Sequence, residues 1–307
     1  MTITVLGIFV ADASFRAARQ PAVGETLIGS GFGLGPGGKG SNQAIGIALL
    51  GGEVHLISKI GQDPFGDMAL KVWQEAGVIP SVERTADVPT GAAGIFVDEK
   101  SGDNAIIVCP GASGTLSVED IDARADLIAN SSHFITQLEQ SAEVATYALR
   151  IAKEARTATV LNPAPAADLA AEVYSLCDYV TPNEAEAEGL TGIEVRDLET
   201  AEKAADELIR KGVGTAIITL GENGAFWKSS SGGQGHCPAF TELGPVVETT
   251  GAGDAFNAGL VTALSEGQSI EDAVRFGCAV AGLSVTRAGA ASSMPSGAEV
   301  EVVLASC

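Results

Sequence analysis

The chain has 307 residues, with 18 Lys and Arg against 39 Asp and Glu, for a formal net charge of −21. A hydrophobic content of 46% is ample for a core, while the charge argues against a broad nucleic-acid or anionic-membrane surface; a polyanionic ligand must be met by a local device such as backbone amides, a lysine or a metal. The length is within reach of one large α/β unit, and Cys109, Cys177, Cys237, Cys278 and Cys307, odd in number and without a CxxC, fit reduced thiols in a cytoplasmic protein rather than a disulfide framework or a zinc site.

From the N-terminus, the apolar run at 2–10 lacks a basic leader and reads as a first strand, not a signal peptide. Further strands are expected at 54–60, 134–138, 158–162, 179–181 and 215–220, and helices at 41–50, 65–76, 142–155, 199–211, 254–265 and 270–286. Such alternation predicts an α/β fold with a mostly parallel central sheet flanked by helices on both faces. Ala216, Ile217 and Ile218 are apolar in succession, as a strand covered on both sides requires. Two segments break the pattern. Residues at about 11–36 hold Gly and Pro but no helix, and those at about 90–109 read as a hairpin turning at Ser101, Gly102, Asp103 and Asn104. Together they are expected to form a small antiparallel sheet, a lid over the strand ends of a single domain spanning 1–307. No apolar run approaches the ~20 residues of a membrane span, and His55, His133 and His236 carry no metal spacing.

The chemistry-bearing motifs lie where strands end and helices begin. Gly37, Gly38, Lys39, Gly40, Ser41 and Asn42 make a glycine turn feeding a helix, with a lysine for a phosphate and an amide for a polyol. The turn is not a P-loop, because Gly40 stands where a magnesium-binding hydroxyl is needed, and its GxGxxG spacing does not follow the first strand. Asp12 and Glu139 each follow an apolar strand run, and Asn162-Pro163-Ala164-Pro165 makes a stiff loop. Asn183 and Glu186, three apart, can share a helix face and organise hydrated Mg²⁺, or simply begin an acidic helix. Thr219, Gly221 and Gly224 end a buried strand in a glycine turn. The most informative stretch is Gly251-Ala252-Gly253-Asp254. Phe256, Leu260 and Leu264 open a helix behind it, whose N-terminus would hold an anion beside a carboxylate that the dipole keeps ionised. An anion hole beside a carboxylate suits phosphoryl transfer to an alcohol.

GGKGSNQA, NPAP, TPNEAEAEGLTG, ITLGENG and GAGDAFNAG, in this order and spacing, resemble the ribokinase-like (PfkB) carbohydrate kinases over essentially the whole chain, and within that family the first and third are most similar to ribokinases. The resemblance implies an ATP-dependent kinase acting on the primary hydroxyl of a pentose, with Mg²⁺ and K⁺ as cofactors and a homodimer formed through the lid. Residue by residue, it implies Asp254 as catalytic base, Gly251, Ala252 and Gly253 as anion hole, and Lys39 as a phosphate contact. Asp12, Gly38, Lys39, Asn42 and Glu139 would face the sugar, and Asn183, Thr219, Gly221 and Gly224 the nucleotide. Glu186 would hold Mg²⁺ through water, and Glu248, Thr250, Ser284, Arg287, Gly289 and Ser293 would surround a monovalent cation. Three positions depart from the pattern. Val10 replaces the usual Asn two residues before the sugar-binding Asp, which shifts the expected substrate from ribose toward 2-deoxyribose. Glu248 replaces an Asp near the cation, and Pro36 precedes the first motif. A kinase for a nucleoside, another sugar or a keto-acid, and a catalytically silent sugar- or nucleotide-binding regulator, are the alternatives on the same fold.

Overall fold

The computed structural model describes residues 1–306; Cys307 lies outside the described residues. In chain order the strands are β1 (Thr2–Leu6), β2 (Val10–Ala17), β3 (Gly31–Gly37), β4 (Glu53–Gly61), β5 (Ile79–Thr85), β6 (Thr90–Asp98), β7 (Asn104–Gly111), β8 (His133–Thr136), β9 (Ala158–Leu161), β10 (Tyr179–Val180), β11 (Thr215–Thr219), β12 (Ala225–Ser229) and β13 (Gln234–Cys237). The helices are α1 (Lys39–Leu49), α2 (Pro64–Ala76), α3 (Val118–Asp122), α4 (Ala125–Ala129), α5 (Ala142–Ala155), α6 (Ala171–Leu176), α7 (Glu184–Thr191), α8 (Leu198–Arg210), α9 (Ala252–Ser265), α10 (Ile270–Ser284) and α11 (Gly297–Ser306). Among the described residues no helix is long and apolar enough to cross a membrane.

Nine strands form one sheet in the order β13-β12-β11-β10-β9-β8-β1-β4-β5. It is parallel from β11 to β5 and antiparallel only where β12 and β13 are added at one edge. Side chains alternate across it, so the two faces feed different cores. Leu6 and Phe134 join Leu149 of α5 and Leu208 of α8 on one face. Ile3 and Val5 join Ile47 of α1, Trp73 of α2 and Val261 of α9 on the other. α9 is buried on every side from Asp254 to Ser265, as expected of a helix apolar all round.

The strand order reverses at β1: the chain lays β4 and β5 to one side of it and β8 to β11 to the other. A crevice at the C-terminal ends of the strands therefore opens between β1 and β8, the place where ligands collect in sheets of this kind. Gln137 and Glu139 follow β8, Asn162 follows β9, Thr181 and Asn183 follow β10, and Gly221 follows β11, so the motifs fall along a single sheet edge.

The apolar run at 2–10 is two elements, not one. β1 ends at Leu6, and β2 starts at Val10 and belongs to a second, four-stranded sheet ordered β3-β2-β6-β7. That sheet is not purely antiparallel as expected: β2 and β6 pair in parallel between two antiparallel hairpins. The direction is inherited. β2 continues from β1 and β6 follows β5, two strands that run the same way in the main sheet. The join is pinned at Thr90. Its hydroxyl accepts from the Gly61 N–H at 2.8 Å, and its N–H donates to Asp63 Oδ2 at 2.7 Å, while Asp63 Oδ1 caps α2. By register, Asp12 and Val10 point to one face of the small sheet, and Phe15, Phe32, Leu34 and Ile107 to the other.

Candidate active site

Two helix starts meet at the crevice. Gly38 precedes α1 with φ 92° and Gly251 precedes α9 with φ 81°. Both lie in the region that favours glycine, and a Cβ at Gly38 would sit 2.5 Å from the Ile8 carbonyl oxygen. The turns bring α1 and α9 together, so that Asp254, 5% exposed, lies between two amides of α1. Asn42 Nδ2 donates to Asp254 Oδ2 and Gln43 Nε2 to Asp254 Oδ1, each at 3.0 Å. Asn42 Oδ1 is buried and meets no donor among the described residues, which leaves an acceptor beside the carboxylate. In the first turn of α9 the N–H groups of Gly253 and Asp254 have no intrahelical acceptor, whereas that of Ala252 donates to the Thr249 carbonyl at 3.1 Å. Asn257 Nδ2 donates to the Gly253 carbonyl at 2.9 Å, and the Thr181 hydroxyl to Asn257 Oδ1 at 2.7 Å, so the turn is docked on the end of β10.

Charge is concentrated here. Burial raises the Asp254 carboxyl above its ordinary range, against the lowering by Lys39, Asn42 and Gln43. The helix dipole favours the ionised form of this group and desolvation opposes it. Burial also raises Asp12 to about 6 and Glu139 to about 7. Burial works to lower the Lys39 ammonium, yet the combined field of Asp254, Glu139 and Glu186 leaves it raised. Glu139 Oε2 accepts from the Lys39 backbone N–H at 2.7 Å, which ties the end of β8 to the start of α1.

The residues expected to face a nucleotide, Asn183, Thr219, Gly221 and Gly224, line one cleft. It has a volume of about 410 Å³, is lined by Ala252 and Gly253 as well, and so runs from the end of β11 to the start of α9. Its apolar wall, Phe240, Val246 and Val285, was not identified from the sequence; these residues lie in an irregular segment and on a helix end with no motif of their own. Asn183 and Glu186 form a capping box: the Glu186 N–H donates to Asn183 Oδ1 at 2.8 Å, and the Asn183 N–H to Glu186 Oε2 at 2.9 Å. Glu186 Oε1 stays outside that box, and the carboxyl is raised by burial, against the hydrogen bond and the Lys39 charge.

The residues expected around a monovalent cation come together only in part. Glu248 Oε2 accepts from the Gly289 N–H at 2.8 Å, and the Glu248 N–H donates to the Val285 carbonyl at 3.2 Å. The Ser284 and Ser293 hydroxyls donate within their own turns, to Ala281 and Ala290 at 2.8 Å each, Arg287 pairs with Glu299, and Thr250 is exposed. The sequence reading passed over Gln43, Gln137 and the side-chain role of Asn162. The available signal was Ser41-Asn42-Gln43, three polar residues opening a helix that is otherwise apolar to Leu49.

Asp254 is buried at a helix start in the field of the Lys39 ammonium, and Ala252 and Gly253 just before it line the cleft, an arrangement suited to group transfer. The family model for pfkB family carbohydrate kinases matches residues 2–297. The chain is 41% identical over 295 residues to a ribokinase of Haemophilus influenzae, covering 96% of this chain and 95% of that protein. It is 36% identical over 298 residues to a deoxyribokinase of Salmonella typhi, covering 96% of each. The solved structure of Arabidopsis thaliana ribokinase complexed with ribose and ATP superposes with a TM-score of 0.92 at 28% identity, over 98% of each chain. The chain belongs to the pfkB family of carbohydrate kinases, and its fold is ribokinase-like.

Glu139 yields a pH prediction. Its folded carboxyl titrates near 7 and its unfolded one near the ordinary 4.5, so the folded state holds the proton more tightly between these values. Stability of the ligand-free protein from this group is fully present below about 4.5 and lost as pH rises through about 7. Glu139→Gln should therefore gain stability relative to wild type by on the order of 2 kcal/mol between pH 5 and pH 8. Urea unfolding at both pH values measures it; parallel pH curves for the two proteins would contradict the burial assigned to Glu139.

Proposed function

We propose that this enzyme transfers the γ-phosphoryl group of ATP to the primary hydroxyl of a pentose. The observation that carries the reading is Asp254: a buried carboxylate at a helix start, held by two amides, next to a lone acceptor on Asn42, and directly after Ala252 and Gly253, which line the cleft with Asn183, Thr219, Gly221 and Gly224. Similarity to kinases of ribose and of deoxyribose, and to a structure holding ribose and ATP, supports both substrates.

In this mechanism Asp254 takes the proton of the sugar hydroxyl as its oxygen attacks the γ-phosphorus in line, and the bond from that phosphorus to the bridging oxygen breaks to release ADP. The raised carboxyl makes Asp254 a better base than an exposed aspartate. The transition state of phosphoryl transfer is loose, so positioning and charge stabilisation dominate. Backbone N–H groups of Gly251, Gly253 and Asp254, with Ala252 completing the turn, and the Lys39 ammonium meet the charge on the migrating group. Asp12, Gly38, Asn42 and Glu139 accept or position the sugar hydroxyls. Glu186 Oε1, through water, would hold Mg²⁺, which neutralises polyphosphate charge when bound. Carbonyls around Arg287 and Gly289, with Glu248, Thr250, Ser284 and Ser293 about them, would hold K⁺; its oxygen donors suit that ion. The chain acts as one domain of 1–307 in the cytoplasm, with the four-stranded sheet as a lid that excludes water.

Asp254→Asn should fold and bind ATP like wild type but lose about 10²–10⁴-fold in kcat for sugar-dependent ADP formation. A folded mutant with wild-type kcat removes Asp254 from the chemistry. The same assay, titrated with Mg²⁺ and run in K⁺ against tetramethylammonium at equal ionic strength, reads the two cation sites; indifference to either ion eliminates that site.

The outer face of the lid supports a homodimer. Phe15, Phe32, Leu34 and Ile107 share it by register and are 53%, 65%, 45% and 75% exposed, and the Phe15 and Phe32 rings touch in a tilted pair with centroids 5.2 Å apart. A contiguous exposed apolar face of this kind marks an association surface. Sedimentation should find a dimer at micromolar concentration that Phe32→Glu dissociates; a monomeric wild type rules the dimer out.

Val10 favours a second substrate reading, a preference for 2-deoxyribose. It is 3% exposed, packs with Ile8 and Ala93, and lies on the same face of β2 as Asp12. A sugar hydroxyl facing it loses a partner, which costs roughly 1–3 kcal/mol, or about 5- to 150-fold. Val10→Asn should shift kcat/KM toward ribose by that order. A wild type that strongly prefers ribose, or a ratio unmoved by the substitution, sinks the idea; turnover of nucleosides or other sugars alone, or tight binding without turnover, would point to the other readings of the fold.

A further inference from the structure

Behind Asp254 runs a chain of buried side-chain amides that the mechanism above leaves unused. Gln43 is fully buried, so no part of it can meet a substrate. Its two amide hydrogens are both spent: one goes to Asp254 Oδ1 at 3.0 Å and the other to Asn162 Oδ1 at 3.1 Å. Its own carbonyl, Oε1, accepts from Gln137 Nε2 at 2.6 Å. Asn162 in turn donates to the Thr181 carbonyl at 3.2 Å. The three residues that converge on Gln43 thus come from the ends of β8 and β9 and from the first turn of α9.

The polarity of this chain is dictated from the carboxylate outward. A carboxylate accepts only, so Gln43 must present its NH₂ to Asp254. That turns Gln43 Oε1 toward Gln137, which must then present its own NH₂. Gln137 Oε1 is left buried with no donor among the described residues. An orphaned buried acceptor is costly and calls for a reason. The opposite orientation of Gln137 would set two carbonyl oxygens face to face and release Gln43 to turn its oxygen on Asp254. The orphan is therefore what remains when the chain is wired to serve the carboxylate.

We propose that Gln43 is a positioning residue for the phosphoryl-transfer step, holding one oxygen of Asp254 in place with its amide orientation locked by Gln137, while Asn42 holds the other. The inference rests on Asp254 being the base. It assigns Gln137, which touches neither Asp254 nor substrate, a role in turnover through Gln43. With Gln43 in place, the second lone pair of Asp254 Oδ2 or Oδ1 is aimed at the substrate hydroxyl; without it the carboxylate can rotate about its last bond and lose the in-line pose, on which transfer depends steeply.

The test is steady-state kinetics on Gln43→Met, Gln137→Met and the double variant, with Asp254→Asn run alongside and melting curves on all four. Methionine keeps the volume and removes the amide. Gln43→Met should lower kcat about 10- to 100-fold, the worth of a hydrogen bond to a charged group, with KM for sugar and for ATP within about threefold of wild type. Gln137→Met should lower kcat less, and the double variant should fall no further than Gln43→Met alone, because Gln137 acts only through Gln43. Gln43→Met with wild-type kcat while Asp254→Asn is inactive overturns the positioning role and leaves the base intact; wild-type kcat in Asp254→Asn overturns the base itself. Losses confined to KM, or losses in Gln43→Met and Gln137→Met that multiply in the double variant, also overturn the proposal. Should Gln43→Met fail to fold, Gln137→Met alone decides: an unchanged kcat refutes the relay.

Discussion

The structure depends on placing one carboxylate in a dry site without letting it drift or pair off. Asp254 is buried at the start of α9, and the groups that face it are two amides, not a cation in direct contact. A salt bridge with Lys39 would hold the charge more cheaply but would take the carboxylate out of use as the base proposed for it. Amides hold both oxygens in place, lower the group only in part, and leave burial to keep it basic. The packing of α1 on α9 serves this arrangement: both helices start at positive-φ glycines, and Asn42 and Gln43 reach Asp254 across more than two hundred residues of sequence.

The excess of acid over base in the chain sharpens the electrostatic problem. Lys39 is set among Asp254, Glu139 and Glu186, with Asp12 nearby on the small sheet. Burial raises all four carboxyls, Asp12 to about 6 and Glu139 to about 7, so gathering them at one place carries an electrostatic cost. A sugar brings hydroxyl donors to such carboxylates, and a nucleotide brings its own counter-ions. The cleft proposed for the nucleotide is lined mainly by glycine turns and apolar side chains, with Glu184 and Glu222 at its edge, so a polyphosphate there would be met by backbone N–H groups rather than by basic side chains.

What was legible in the sequence was local. Glycine followed by a helix start marked Gly38 and Gly251, because a positive φ has a direct residue signature. The alternation of apolar runs and helices gave the parallel sheet, and strand ends located Glu139, Asn183 and Thr219 on one edge. What was hidden depends on geometry between distant segments. The continuous apolar run at 2–10 conceals that Leu6 ends one strand and Val10 begins another in a different sheet. The parallel pairing of β2 with β6 follows only once β1 and β5 are known to run alike. Gln43, Gln137 and Asn162 meet across separations of 94 and 119 residues, and an amide in a strand-end loop carries no mark of the partner it will find. Phe240 and Val246 wall the cleft from a stretch with neither helical nor strand period.

The central claim, that Asp254 activates a primary hydroxyl for attack on the γ-phosphorus, is tested most directly by identifying the product by ³¹P and ¹³C NMR after incubation with ATP and ¹³C-labelled ribose or 2-deoxyribose. The predicted result is a phosphate monoester on the primary carbon, formed one for one with ADP, and no free phosphate above background. Phosphate on the anomeric carbon, or ADP and free phosphate released at the same rate whether or not sugar is present, would contradict it.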